Sequence, residues 1–145
     1  MTEPFVGIER RLEKLADCLN KLDPLTEQPE TDFRDDPYLR DIVERNLEVS
    51  AQCVIDVANR IISLEGAPHP QDYRTAIIRL GELGVIEPEF AEKLAPLAGF
   101  RNILVHQYLD IDWSIVYTNL RGLDDLRRFD EAIRSWLVHD RSDFD

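Results

Sequence analysis

The chain has 145 residues, 43% of them hydrophobic and 32% charged, and its 17 basic against 29 acidic side chains leave a formal charge of −12. That composition is rich enough for one core and excludes a wholly disordered chain. The negative charge argues against broad, sequence-independent adhesion to duplex nucleic acid or anionic lipid, so a polyanion has to be met at a local cluster of positive groups. No apolar run approaches the roughly 20 residues that cross a bilayer, no basic lead precedes an apolar block at the N-terminus, and two cysteines make no disulfide framework. A single domain over residues 1–145, without a membrane partner and in a reducing cytoplasm, is expected.

Phe5, Ile8, Leu12, Leu15, Leu19 and Leu22 recur at spacings of three and four, the apolar stripe of a first helix that Asp23-Pro24 should end. The polar, proline-bearing segment from Thr26 to Asp35 reads as a loop with little internal structure. Asp36-Pro37 offers an N-cap followed by a first-turn residue that needs no N–H partner, and the helix it starts should run to about Leu64. Two adjacent apolar rows mark this helix, one through Val43, Leu47, Val54, Val57, Ile61 and Leu64, the other through Leu39, Ile42, Val49 and Cys53. So wide an arc suggests burial on two sides, against its own domain and against a second copy.

Asp72 can cap a short third helix with Tyr73, Ala76, Ile77 and Leu80 inward and Gly84 at its end. Glu87-Pro88-Glu89 opens a fourth, and Pro96 with Gly99 should bend the chain before Arg101. Asp112 caps a last long helix carrying Val116, Leu120, Leu123, Leu126, Phe129, Ile133, Trp136 and Leu137. No alternating pattern competes, and an all-α bundle of about five helices follows.

Function is concentrated in Arg101-Asn102-Ile103-Leu104-Val105-His106-Gln107-Tyr108, where a guanidinium, an imidazole and a phenol interrupt an apolar helical run. Arginine grips phosphate with a fork of N–H donors, histidine exchanges a proton near neutral pH, and tyrosine offers a hydroxyl. On an ideal helix Arg101 and His106 lie about 140° apart, whereas Asn102 shares a face with His106 and Arg101 nearly coincides with Tyr108. One straight copy does not focus all three on one phosphate. Either the bend near Pro96 to Gly99 redirects Arg101, or groups from two symmetry-related helices combine. His69 and His139 read as incidental, Cys18 and Cys53 as small hydrophobes, and no Cys or His spacing suggests zinc, so neither a metal nor a cofactor is expected. Asp56, well inside the second helix, is a candidate supporter of the motif across the bundle, beside the plainer reading of a surface carboxylate.

The octet resembles the Arg-x4-His-x-Tyr motif of the HepT family of HEPN-domain toxins, ribonuclease halves of toxin–antitoxin pairs whose partner is a small MntA-type nucleotidyltransferase. Further likeness is carried by Arg45-Asn46-Leu47, Ile55-Asp56-Val57-Ala58, Gly84-Val85-Ile86, Ala98-Gly99-Phe100-Arg101-Asn102, Ile111-Asp112-Trp113 and Val116-Tyr117. The resemblance implies a HEPN-type bundle paired as a homodimer, within a larger hetero-oligomer when the antitoxin joins, with the two motifs meeting between subunits. It implies metal-independent cleavage of RNA, a transfer RNA or a message, through attack by the ribose 2′-hydroxyl. His106 would act as the base, Arg101 would hold the non-bridging oxygens, and Asn102 would orient His106 or the phosphate through its amide. It also implies that AMP is attached to Tyr108 by the partner, placing charge and bulk beside His106. Two other classes fit the same residues. One is a non-catalytic nucleotide-binding or adaptor HEPN module that partners a nucleotidyltransferase, and the other is a helical protein of assembly alone.

Overall fold

In a computed structural model, which describes residues 3–144 and the side chains of residues 5–140, the chain is all helical. Helix α1 spans Glu3–Leu22, α2 Glu30–Arg34, α3 Pro37–Leu64, α4 Tyr73–Glu82, α5 Pro88–Leu94, α6 Leu97–His106, α7 Trp113–Arg121 and α8 Leu123–Phe144, with a 3-10 turn at Asp23–Leu25. The all-α expectation holds, with more and shorter helices than five.

Helix α3 is the axis of the bundle. Asp36 caps it, accepting from the Leu39 N–H at 3.0 Å, and Pro37 occupies its first turn. Gly7 lies against Arg60, and Arg11 reaches Asp56 at 3.7 Å. Positions that rise along α1 therefore meet positions that fall along α3, so the two run antiparallel. Helices α2, α4, α6 and α7 also pack on α3. Of its two apolar rows, the one through Val43, Leu47, Val54, Val57 and Ile61 is buried within the chain, whereas in the other Cys53 is buried, Leu39 and Val49 are half-buried and Ile42 is exposed. The width of the arc thus has an intramolecular cause on the side of the first row, and the second row leaves apolar surface open. Its N-terminal end keeps exposed apolar surface at Tyr38, 81% accessible, and Ile42 at 47%.

Two expectations need correction. The segment from Thr26 to Asp35 contains α2, because Phe33 is fully buried and stacks on Trp113 at 5.0 Å between ring centres, with Tyr117 at 5.9 Å. Burying one phenyl ring is worth about 1.5–3 kcal/mol, enough to order a turn that has little helical preference of its own. Second, the expected last helix is two, α7 and α8, parted at Gly122. The residues Leu120, Leu123, Leu126 and Phe129 step by three, and each such step falls about 60° short of a turn, so on one straight helix the stripe would swing to the far side. A break at Gly122 restores the phase, and Leu120, Leu123, Leu126 and Phe129 are all buried.

Asp72 caps α4 through the Thr75 N–H at 2.7 Å, and Gly84 closes that turn with φ at +76°. The bend expected near Pro96 is a complete break between α5 and α6 at Ala95 and Pro96. No helix among the described residues is long and apolar enough to cross a membrane.

Candidate functional site

Helix α6 places the motif. Its buried side, Ala98, Phe100 and Leu104, docks into the core, and the remaining arc carries Arg101, Asn102 and His106. Because the chain breaks before Leu97, both Arg101 and His106 sit on one uninterrupted helix. The bend cannot alter their angular separation, which stays near 140° with an axial rise of about 7.5 Å. Of the two ways to bring them together, redirection of Arg101 by the bend is removed.

Arg101 is the best held of the four motif residues. Its Nε donates to Gln52 Oε1 at 2.9 Å, its Nη1 donates to Asn102 Oδ1 at 3.2 Å, and the guanidinium lies 5.2 Å from the centre of the Tyr73 ring. Gln52 donates in turn to Asp56 Oδ1 at 2.8 Å, and Arg11 Nε lies 3.7 Å from Asp56 Oδ2. Asp56 is thus linked to Arg101 through Gln52, while its own side chain stays partly exposed. Gln52 and Arg11 were not singled out from the sequence, and Tyr73 was read there only as an inward-facing core position. The spacing of Gln52 and Asp56 by four on one helix was the available signal, and a partner 49 positions away on α6 could not be read from it.

Asn102 is exposed and engages Arg101, not His106, although the two amide and imidazole positions share a face. His106 is the exposed last residue of α6. Beyond it the backbone leaves the helix, and the Asp110 N–H donates to Gln107 O at 3.1 Å, closing a turn with Tyr108 and Leu109 at its tip. Tyr108 is 68% accessible and Leu109 88%. The helical coincidence expected for Arg101 and Tyr108 is lost, because the helix ends two residues before the tyrosine. The following helix anchors this turn: Trp113 Nε1 donates to Glu44 Oε2 at 3.2 Å, and the Tyr117 hydroxyl donates to Gln28 O at 2.8 Å.

A groove of about 770 Å³ runs between α6 and the α7–α8 corner, touching Tyr73, Lys93, Asn102, Ile103, Asn119 and Asp125. It shares only Asn102 with the motif and misses Arg101, His106 and Tyr108. The chemistry is the better guide here, since charged side chains of that groove such as Lys93 and Asp125 pair with each other at 3.2 Å, whereas the motif presents a half-buried cation, an exposed imidazole and an exposed phenol. Among the described residues no group of three His, Cys, Asp or Glu side chains stands together in a way that could hold a metal ion.

A family model described as HepT-like, ribonuclease HepT-like, matches residues 15–133. The chain is similar to a tRNA nuclease HepT of Aphanizomenon flos-aquae, 31% identical over 137 residues that make up 94% of this chain and 92% of the relative. It is also similar to an mRNA nuclease HepT of Shewanella oneidensis, 30% identical over 104 residues, 71% of this chain and 78% of that one. Among solved structures, a tri-AMPylated HEPN toxin of Shewanella oneidensis in complex with an MNT antitoxin superimposes with a TM-score of 0.80 at 25% identity, covering 93% of this chain and 99% of the other.

Proposed function

The chain belongs to the ribonuclease HepT-like family, and from that premise we propose that it is the endoribonuclease toxin of a toxin–antitoxin pair, with Arg101 and His106 as its catalytic residues. One observation carries the assignment to these side chains. Arg101 is oriented by three neighbours with part of its guanidinium still uncommitted, and His106 stands solvent-exposed on the same helix.

The reaction is cleavage by the RNA's own 2′-hydroxyl. Neutral His106 takes the 2′-proton, the 2′-oxygen bonds to phosphorus, and the bond from phosphorus to the 5′-oxygen breaks. The products are a 2′,3′-cyclic phosphate and a free 5′-hydroxyl. The leaving oxygen takes its proton from the imidazolium of a second copy's His106. Arg101 neutralises the charge that gathers on the non-bridging oxygens, while Asn102 steadies the guanidinium through its Oδ1. Proton transfer and charge stabilisation are thus both supplied by side chains, so the mechanism is metal-independent and needs no cofactor.

The 140° offset is the reason for a second copy. A twofold contact sets the Arg101 of one chain opposite the His106 of the other. Exposed Tyr38, Ile42 and Leu109 supply apolar surface on α3 and on the turn after α6. The antitoxin is an MntA-type nucleotidyltransferase, and it acts on Tyr108, whose accessible hydroxyl at a turn tip can reach a partner's active site without unfolding anything. Each AMP placed there brings negative charge and bulk two residues from His106 and repels the substrate phosphate.

The test uses purified chain and total RNA, with product ends analysed for cyclic phosphate. Parent protein should cut, and Arg101→Ala and His106→Ala should lose nearly all activity, since each contribution is typically about 10²–10⁴-fold. Coexpression with the cognate nucleotidyltransferase should add nucleotide mass to the parent and none to Tyr108→Phe. Calorimetric binding of nucleotides by a parent that cuts no RNA would instead identify a non-catalytic adaptor.

A further inference from the structure

We propose that Gln52 is a positioning residue for Arg101, a neutral clamp that fixes the guanidinium without cancelling its charge. The inference rests on the ribonuclease reading above and adds a residue outside the motif.

Gln52 lies in the middle of α3, half-buried beneath α6. Its Oε1 accepts from Arg101 Nε at 2.9 Å while its Nε2 donates to Asp56 Oδ1 at 2.8 Å. An ionised carboxylate only accepts and a guanidinium only donates, so with these two neighbours the amide has a single satisfied orientation. Turning it over would set donor against donor at Arg101 and acceptor against acceptor at Asp56. Asp56 thus decides which end of Gln52 faces the motif. Arg11 Nε faces Asp56 Oδ2 at 3.7 Å, an ion pair without a hydrogen bond, and Arg11 donates through Nη1 to Gly7 O at 3.1 Å. A continuous polar chain therefore runs from α1 across α3 to α6.

For Arg101 the result is a guanidinium clamped at one end and free at the other. Nε is taken by Gln52 and one N–H of Nη1 by Asn102, with the Tyr73 ring nearby. Of the five N–H donors of an arginine, three are left, enough for two phosphate oxygens. A glutamate at position 52 could accept the same Nε–H, but it would pair its charge with the guanidinium and lie four residues from Asp56 on the same helix, where like charges repel. The amide offers an acceptor of the right reach with no charge. Arg101 keeps its full attraction for the scissile phosphate.

Orientation and charge are separable by substitution. Gln52→Met preserves size and removes the acceptor, so Arg101 stays positive but swings. Gln52→Glu preserves an acceptor and adds the charge. Cleavage of one defined RNA, measured across substrate concentrations at two salt levels, should show kcat falling in Gln52→Met by up to about 100-fold with little change in KM. In Gln52→Glu the KM should rise about tenfold or more and depend less on salt, as expected when a phosphate contact is weakened. Asp56→Asn, which frees the amide to turn, should reproduce Gln52→Met in a milder form. Melting temperatures of all three should stay close to the parent.

A parent that cleaves RNA, an inactive Arg101→Ala and a Gln52→Met matching the parent in both constants would overturn the clamp alone. So would variants whose losses simply track a lowered melting temperature, because that pattern belongs to a structural role. A parent that cleaves no RNA overturns the ribonuclease reading, and the clamp with it.

Discussion

Arg101→Lys separates charge from geometry at the site. Lysine keeps the positive charge on a stem that reaches a similar place, but it has no Nε to donate to Gln52 and no planar fork. Three N–H groups of Arg101 are uncommitted in the structure, and two of them can grip a phosphate side by side, whereas a single ammonium meets it as a point charge. Losing one charge-assisted hydrogen bond in the transition state costs about 1.5–3 kcal/mol, which is about 10- to 150-fold in kcat/KM. Electrostatic attraction at long range is retained, so the loss should be smaller than in Arg101→Ala. Stability should hardly change, because the side chain is half-exposed and its ring contact with Tyr73 is worth about 0.5–1 kcal/mol, a melting shift within about 4 °C. Single-turnover cleavage of one RNA by parent, lysine and alanine variants, with melting curves beside it, measures all of this. Lysine cleaving within threefold of the parent would mean that charge alone suffices and that the fork held by Gln52 and Asn102 plays no part.

Gly81→Ala in α4 should destabilise the chain by up to about 2 kcal/mol: a Cβ there would stand 2.9 Å from the Ala91 Cβ and 3.0 Å from the Pro88 Cα, neither of which is a flexible side-chain end, so overpacking of about 1–3 kcal/mol is offset only in part by a helix-propensity gain of about 1 kcal/mol. A lower urea midpoint at unchanged slope is expected, and a raised midpoint would show that α5 gives way freely. Burial, then the nearby Cys18 and Asp56, pushes the Cys53 thiol up to about 11, so at neutral pH it is protonated and should resist a thiol-labelling reagent until the chain is denatured; rapid labelling of native protein would contradict the packing of α1 on α3. Burial and the adjacent Asp140 raise the Glu65 carboxyl above its ordinary range. The folded chain then binds that proton more tightly than the unfolded one, so this contribution to stability is present below the ordinary glutamate pKa and is lost as pH rises through the raised value. Glu65→Gln should flatten that part of the stability profile above the ordinary glutamate pKa, and an unchanged slope would remove the pairing with Asp140 as its cause.

The elements most legible in the sequence were those with a local cause. Asp36-Pro37 and Asp72 cap α3 and α4 through their own side chains, and Asp112 caps α7 in the same way, accepting from the Ser114 N–H at 3.0 Å. Each signal lies within three residues of its effect. The short helix α2 was not legible, because Phe33 orders it by stacking on Trp113, 80 positions on, and nothing near Phe33 announces that ring. The division at Gly122 lay between the two cases. A run of steps of three was visible, and its meaning, a stripe drifting off the core side, follows from helix geometry alone.

The site divides along the same line. Residue types and spacing pointed to Arg101, Asn102, His106 and Tyr108, since a motif is by nature local. What makes Arg101 more than a surface cation comes from α3 and α4, through Gln52 and Tyr73, and only the fold joins them. His106 shows the opposite. It ends α6 on open surface, about 140° around the helix from the arginine, and no rearrangement within a regular helix closes that angle. In the proposed reaction the braced side chain and the exposed one would divide the labour: the single chain would complete the phosphate-holding half of the site, and a second helix facing it would complete the proton-transfer half. Mixed dimers test this. If parent chains are combined with an equal amount of Arg101→Ala/His106→Ala double-variant chains, half of the assembled pairs hold one of each, and in these no intact arginine faces an intact histidine across the seam, so cleavage per parent chain should fall to about half of its unmixed value. Cleavage per parent chain unchanged by mixing, with subunit exchange verified, would place both groups in the same chain's site.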